Sequence, residues 1–464
     1  MPGNLWGLDV SKIRGPRYLA VAGAIARAID NAELPPGAQL PTQRELAERL
    51  GVTVGTVSRA YALARKRRLI VGEVGRGTFV QGLTHSERNA RYIPAASEKG
   101  IDLGCFRSPV EGLSQSIVKC LAEVGERASL LPLHMYPPGA GTLSHRLAGT
   151  AWIGRTGFNV PVERVLIASG AQQAIAACLA TVANHGDTIL TEELTYSGVK
   201  AISAHLGLRL RAVAMDGQGM VPESLEREAT ESGARVVYMQ PTVHNPTASS
   251  MQAARRRRIA EVATRLDLVV IEDDAAASAL AERIEPVSAL IPERSCYITS
   301  LSKSVSPTLR IAYIAASDRL LGALTYTIHT FALGTSPINA EIAALLIGKG
   351  TAQEIARSYV KSMARDLDAA RAMLAGHTVQ THPGAFFFWL NLPEGWNPDA
   401  FVLAAKQRSV TVPSADSFLV ARMAMQHGVR VSINPSAQAG MLRKGLAVLN
   451  EILGARPQPG QTIV

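Results

Sequence analysis

From about residue 101 to 455, short β-branched runs alternate with stretches of helical period. Examples are Arg164-Val165-Leu166-Ile167-Ala168, Val236-Val237-Tyr238-Met239, Leu268-Val269-Val270-Ile271 and Tyr297-Ile298-Thr299. Runs this short and apolar are buried on both faces, and the intervening helices supply the cover, so the pattern predicts an α/β fold with a mostly parallel sheet. Ligands of such sheets bind beyond the carboxyl ends of the strands. The chain has 464 residues, more than one hydrophobic core usually spans, so two or more domains are expected. Its 47% hydrophobic and 19% charged residues are those of a globular protein and exclude disorder over most of the length.

The formal charge of +10 is unevenly spread. Residues 1–82 carry twelve Lys/Arg against six Asp/Glu, while the other 382 residues carry 36 against 32. A small segment with that density of positive charge suggests a polyanion partner. The four cysteines, Cys105, Cys120, Cys178 and Cys296, show no CxxC spacing, so buried reduced thiols are expected rather than zinc ligands or disulfides. There is no metal-ligand cluster in the pattern. No apolar run approaches ~18 residues and no signal-peptide core is present, which makes the cytoplasm the default location.

Within the basic segment, Tyr18 to Ala32 has helical period, and Leu34-Pro35-Pro36-Gly37 stops it. Thr42-Gln43-Arg44-Glu45 is a capping-box pattern that starts a short helix through Leu50. Gly51-Val52 then turns the chain, and Thr53 can cap a second helix to about Arg67. Two helices joined by a short Gly-containing turn form a helix-turn-helix. Val57, Tyr61 and Leu63 or Ala64 would face inward. Thr56, Ser58 and Arg59 would face a DNA groove near the amino end, with Arg65, Lys66, Arg67 and Arg68 extending the basic surface. Gly72 to Val80 reads as two wing strands around a Gly75-Arg76-Gly77 tip, with Arg76 placed for a minor groove or a phosphate. Residues 83–100 are polar without sustained period and read as a linker, able to span at most about 60 Å. Residues 456–464 read as a frayed tail.

One run in the body carries chemistry: Ser300-Leu301-Ser302-Lys303-Ser304-Val305-Ser306-Pro307-Thr308-Leu309-Arg310. A lysine among hydroxyls, followed by an arginine, suits a Schiff base with an aldehyde cofactor that carries a phosphate. Further candidates precede it in order. Gly170, Ala171 and Gln172 follow a strand and open a helix, expected from Ala174 onward, whose amino end can bind phosphate. Tyr196 offers a face to a pyridine ring, and Asn245 an amide to a ring hydroxyl. Asp273, after an apolar strand, can pair with a protonated ring nitrogen. Ser300, Ser302 and Arg310 would close round the phosphate. Arg430, in Gly428-Val-Arg-Val-Ser-Ile, can fork the carboxylate of an amino-acid ligand.

The head resembles the GntR family of bacterial regulators through Leu40-Pro-Thr-Gln-Arg44-Glu-Leu-Ala, Leu50-Gly-Val-Thr-Val-Gly-Thr-Val-Ser-Arg-Ala-Tyr61 and Gly75-Arg-Gly-Thr-Phe-Val80. The resemblance implies DNA contacts from Arg44, Thr53, Thr56, Ser58, Arg59 and Arg76. It departs from the family at Val54, where a polar or basic residue is usual. The body is similar to fold-type I aminotransferases, which implies pyridoxal 5'-phosphate, a large domain with a mainly parallel sheet and a smaller C-terminal α+β subdomain. Head and body together resemble the MocR subgroup, in which an aminotransferase-like body senses a ligand and the head binds DNA. A homodimer is implied, with Tyr136 of Tyr136-Pro-Pro-Gly139-Ala-Gly141 reaching the other subunit's phosphate. The resemblance also expects a tyrosine just after Asp273, whereas this chain has Asp274-Ala275-Ala276-Ala277. The favoured reading is therefore a transcriptional regulator sensing an amine, an amino acid or the cofactor itself. An active aminotransferase with an accessory head, and a scaffold without cofactor, are the rival readings.

Overall fold

A computed structural model describes residues 4–5, 8–9, 16–30, 33–35, 37–66, 69–73, 77–80, 100–106, 113–127, 135–275, 284–420, 427–433 and 439–455. Arg67, Arg68, Arg76, Ala276, Ala277, nearly all of the 83–100 segment and the 456–464 tail lie outside the described residues. The chain divides into two compact units, one within residues 1–91 and a larger one over most of 92–464.

In the smaller unit the helix Arg17–Asp30 buries Val21, Ala22, Ala24, Ile25 and Ala28 against the two helices that follow. The helix Gln43–Leu50 opens on a complete capping box: Glu45 N–H donates to Thr42 Oγ1, and Thr42 N–H to Glu45 Oε2. Gly51 ends it at φ 65°, a left-handed conformation that glycine adopts without a Cβ penalty. The helix Val54–Lys66 buries Val57, Ala60, Tyr61 and Ala64, and leaves Leu63 only partly covered. The Tyr61 hydroxyl donates to the Pro41 carbonyl at 2.6 Å and ties this helix to the entry of the preceding one. An antiparallel sheet of Gln39–Leu40, Gly77–Val80 and Ile70–Glu73 completes a winged helix-turn-helix.

The larger unit is built on a seven-stranded sheet. Its order is Val165–Ala168, Ala312–Ala316, Ser295–Ser300, Val269–Asp273, Val236–Met239, Thr188–Glu192 and Arg209–Val213. All strands run parallel except Ala312–Ala316, which is antiparallel to both neighbours. Helices cover both faces, as the near-continuous burial of the strands requires. The smaller α+β part is an antiparallel sheet of Val379–Gln380, Phe387–Asn391 and Gly428–Ser432, with the helices Thr351–Met373, Pro398–Gln407 and Ala439–Gly454. Its core includes Tyr359, Phe387, Phe401, Val429 and Leu446. Of the cysteines, Cys120, Cys178 and Cys296 are buried free thiols, whereas Cys105 is only partly covered. Among the described residues no helix is long and apolar enough to cross a membrane.

Candidate functional site

The parallel strands deliver their carboxyl ends to one edge of the sheet, and the single antiparallel strand delivers its amino end there. Gly170 therefore follows one strand, Asp273 ends another, Lys303 follows a third, and Arg310 precedes the antiparallel one. The helix after Gly170 begins at Ala171, three residues earlier than the sequence suggested, because Gly170 itself turns the chain at φ 88°. Its first-turn amides lie at the sheet edge without intrahelical acceptors, a ready anion site. The Arg310 guanidinium packs directly on this turn. A Cβ on Gly170 would fall 2.4 Å from Arg310 Nη2, and that nitrogen donates to the Ser169 carbonyl at 3.5 Å. Ser300 Oγ accepts from the Ser302 amide at 3.3 Å, while Ser302 Oγ is buried without a partner.

Asp273 is 3% exposed, and its two oxygens differ. Oδ2 accepts from the Tyr238 hydroxyl at 2.7 Å and from Gln240 Nε2 at 2.9 Å. Oδ1 is buried with no hydrogen-bond partner. Burial pushes the carboxyl up from its ordinary range, opposed by those two donors and by the Lys303 charge. A cation beside Oδ1 would satisfy the open oxygen and restore the carboxylate. Sequence reading did not single out Tyr238 or Gln240. The available signal was a tyrosine inside a run that must be buried and a glutamine just past its end, since buried polar groups need partners.

The Lys303 amine lies 4.2 Å from the Phe106 ring centre and 5.1 Å from that of Phe386. Burial, with the charges of Arg430 and Arg310, lowers its pKa to about 8. A sizeable fraction of the amine is then neutral, and therefore nucleophilic, near physiological pH. The Tyr196 hydroxyl donates to Gln172 Oε1 at 3.0 Å, and its ring lies against Gly198, where a Cβ would come within 2.2 Å of it. The Gln172 side chain thus holds Tyr196 in place.

Asn245 and Arg430 are brought together from 185 residues apart: Arg430 Nη1 donates to Asn245 Oδ1 at 2.8 Å. Arg430 Nη2 donates to the Gly104 carbonyl at 2.6 Å, and Nε is buried and unpaired. The guanidinium lies over the Phe418 ring at 4.9 Å, and burial lowers its pKa to about 10. The turn that carries Asn245 is strained, with Val243 at φ 50° and Ala248 at φ 59°. A β-branched residue there costs on the order of 1–3 kcal/mol and persists only when its surroundings hold it. His244 is one such clamp, bonded through Nδ1 to Thr247 at 2.8 Å and through Nε2 to the Leu194 carbonyl at 2.9 Å. Burial lowers its pKa to about 4, so the ring is neutral.

The donor set fits a phosphorylated pyridine aldehyde. An anion-binding helix start with Arg310 suits the phosphate, the open Asp273 Oδ1 suits a ring N–H, and Lys303 suits the aldehyde carbon. Tyr136 is 74% exposed, on the surface of its unit. In the smaller unit Arg44, Ser58 and Arg59 are exposed. Thr53 and Thr56 are engaged with each other: Thr56 N–H donates to Thr53 Oγ1 at 3.2 Å, and the two hydroxyls lie 2.9 Å apart.

Comparison with known proteins agrees with both halves. Residues 17–80 match the family model of bacterial regulatory proteins, gntR family, and residues 109–449 match that of aminotransferase class I and II. The chain is 29% identical to the uncharacterized HTH-type transcriptional regulator YdeF of Bacillus subtilis, covering 97% of this chain and 96% of that protein. It is also 29% identical to the vitamin B6 salvage pathway transcriptional repressor PtsJ of Salmonella typhimurium, covering 85% and 89% respectively. Among solved structures, the kynurenine aminotransferase of Pyrococcus horikoshii superposes with a TM-score of 0.70 at 21% identity, over 77% of this chain and 91% of that one. The α-aminoadipate aminotransferase LysN of Thermus thermophilus, solved with N-(5'-phosphopyridoxyl)-L-leucine, gives 0.70 at 23% identity, over 80% and 98%. With a gntR-type head ahead of a body that the second model covers for well over half its length, the chain belongs to the aminotransferase class I and II family in its MocR-type, regulator-fused form.

Proposed function

We propose that this chain regulates transcription by binding DNA through a head of residues 1–82 while a body of residues 101–455 holds pyridoxal 5'-phosphate at Lys303. Residues 83–100 join the two as a linker, and 456–464 form a tail. When bound, the cofactor supplies an aldehyde carbon that amines can join and a ring that withdraws electrons from it. The residues of this chain do the rest. The amides of Ala171 and Gln172, with Ser300, Ser302 and Arg310, hold the phosphate. Tyr196 covers the ring, Asn245 meets its hydroxyl, and Asp273 keeps a proton on its nitrogen. Lys303 anchors the aldehyde, and Arg430 receives a ligand carboxylate. Arg44, Ser58, Arg59 and Arg76 contact DNA, with Thr53 and Thr56 supporting them.

The observation that carries the cofactor reading is the buried, unpartnered Oδ1 of Asp273. A half-satisfied buried carboxylate is costly, and a ring N–H would complete it. The sensed ligand is a small amine, an amino acid or the cofactor itself, and the similarity to the vitamin B6 salvage pathway repressor of Salmonella supports a vitamin B6 compound. Ligand acts by favouring one arrangement of two heads in a homodimer, with each Tyr136 meeting the other subunit's phosphate. Rapid transamination is not part of this role, because Ala275 and Ala276 stand where a tyrosine hydroxyl would help tune the cofactor. The protein works in the cytoplasm.

After excess pyridoxal phosphate is desalted away, purified wild type should keep a visible absorption band and retain the cofactor covalently on borohydride reduction, whereas Lys303→Ala should retain none covalently while keeping a folded head. Gel shifts on the protein's own upstream DNA, with and without cofactor and amines, should respond in wild type only. A wild type that stays colourless would remove the cofactor from this reading. Turnover of amino and oxo acids at ordinary enzyme rates, without salt-dependent DNA binding, would favour the aminotransferase.

A further inference from the structure

The helix Val54–Lys66 begins with an apolar side chain that hydrogen-bond readout leaves unused. Val54 is 45% exposed, whereas Val57, Ala60, Tyr61 and Ala64 of the same helix are buried. The threonines beside it are occupied as a cap, with the Thr53 and Thr56 hydroxyls 2.9 Å apart and the Thr56 amide donating to Thr53. At about 100° per residue, Val54 lies between exposed Ser58 and buried Tyr61, and its exposure comes from its place in the first turn, at the open end of the helix. The amino end of such a helix is the part that meets base edges. In the major groove the apolar group on a base edge is the thymine 5-methyl, whereas cytosine presents an N4 donor that a valine would leave unpaired.

We propose that Val54 is a specificity-determining residue, packing its isopropyl group on a thymine 5-methyl in each operator half-site. The inference rests on the DNA-binding reading of the head and adds the chemistry of one base position to it.

The test starts by selecting duplexes from a random library with the full-length protein. Each thymine of the selected site is then replaced in turn by deoxyuridine, which keeps the O4 acceptor and loses only the methyl. One replacement per half-site should weaken wild-type binding about fourfold, the worth of one buried carbon. The same replacement should leave Val54→Ala unchanged, with melting curves confirming that this surface variant folds. Wild type indifferent to deoxyuridine at every position, or Val54→Ala losing as much as wild type, would overturn the inference while leaving the head a DNA reader. A library that yields no preferred duplex would overturn the DNA-binding reading and the inference with it.

Discussion

Replacing Gly170 by alanine should weaken cofactor binding through Arg310 while the body stays folded. Gly170 sits at φ 88° and ψ 163°, a region that only glycine enters freely, so any Cβ there strains the backbone by about 1–3 kcal/mol. The new methyl would also lie 2.4 Å from Arg310 Nη2 and 2.7 Å from its Cζ. The guanidinium is the far end of a flexible side chain and can swing aside, but only by leaving the turn where the phosphate is to be held. Losing charge-assisted hydrogen bonds to a phosphate removes about 1.5–3 kcal/mol, which is about 10- to 150-fold in Kd. Gly154→Ala is the control: Gly154 is helical at φ −55° with nothing within 4 Å of a Cβ, so affinity and stability should hold or rise slightly. The assay is a titration of apo protein with pyridoxal phosphate followed by visible absorption, alongside apo melting curves. Arg310→Ala should weaken binding as much as Gly170→Ala, and the double variant should be little worse than either, because both act on one contact. Wild-type affinity in Gly170→Ala, or full additivity in the double variant, would refute the placement of the phosphate between Gly170 and Arg310.

The rate at which apo protein takes up pyridoxal phosphate should rise with pH through a midpoint near the lowered Lys303 pKa of about 8, as stopped-flow absorbance can follow. The sign for stability follows from the same shift. Unfolded Lys303 keeps its proton to ~10.5 and binds more protons than the folded form between about pH 8 and 10.5, so its contribution to apo stability improves as pH rises through that window and the cost of burying the charge is fully present below it. A midpoint near 10.5 would contradict the crowding of Lys303 by burial, Arg430 and Arg310. Asp273→Asn should bind cofactor more weakly yet leave the apo melting temperature equal or higher, since it removes a buried charge with one open oxygen; equal cofactor affinity would argue against a ring-nitrogen partner. In the head, Arg59→Ala should cost about 1–3 kcal/mol and relax base preference, whereas Arg44→Ala should weaken all sequences alike and lower the salt slope by about 1. Footprinting and salt titrations on selected duplexes separate the two, and a changed base preference in Arg44→Ala would reverse their roles.

Features set by neighbours in the chain were legible in the sequence. Thr42 and Glu45 form the capping box their spacing indicates, and Val236–Met239 is a strand over the residues read as one. The strand Val269–Asp273 runs two residues past its apolar stretch because Glu272 is buried by distant partners. It accepts from the Val287 and Ser288 amides and lies 3.8 Å from buried Arg256. Periodicity cannot register such a residue, since a glutamate marks solvent unless its partners are known. Tyr238 and Gln240 were missed for the same reason, their role being to hold a carboxylate 33–35 residues away.

The sequence by itself determined the two-part architecture and the alternation that makes a parallel sheet, and it supplied the candidate groups for a phosphate, a ring and an amine. These follow from local period, capping chemistry and residue type. Only the tertiary structure decided how the groups act on one another. The antiparallel strand Ala312–Ala316 places Arg310 on Gly170, and the fold sets Asn245 against Arg430. Burial beside two arginines brings Lys303 to about 8, and Asp273 keeps one oxygen open. Desolvation and the field of remote charges depend on three-dimensional packing, which no linear spacing encodes.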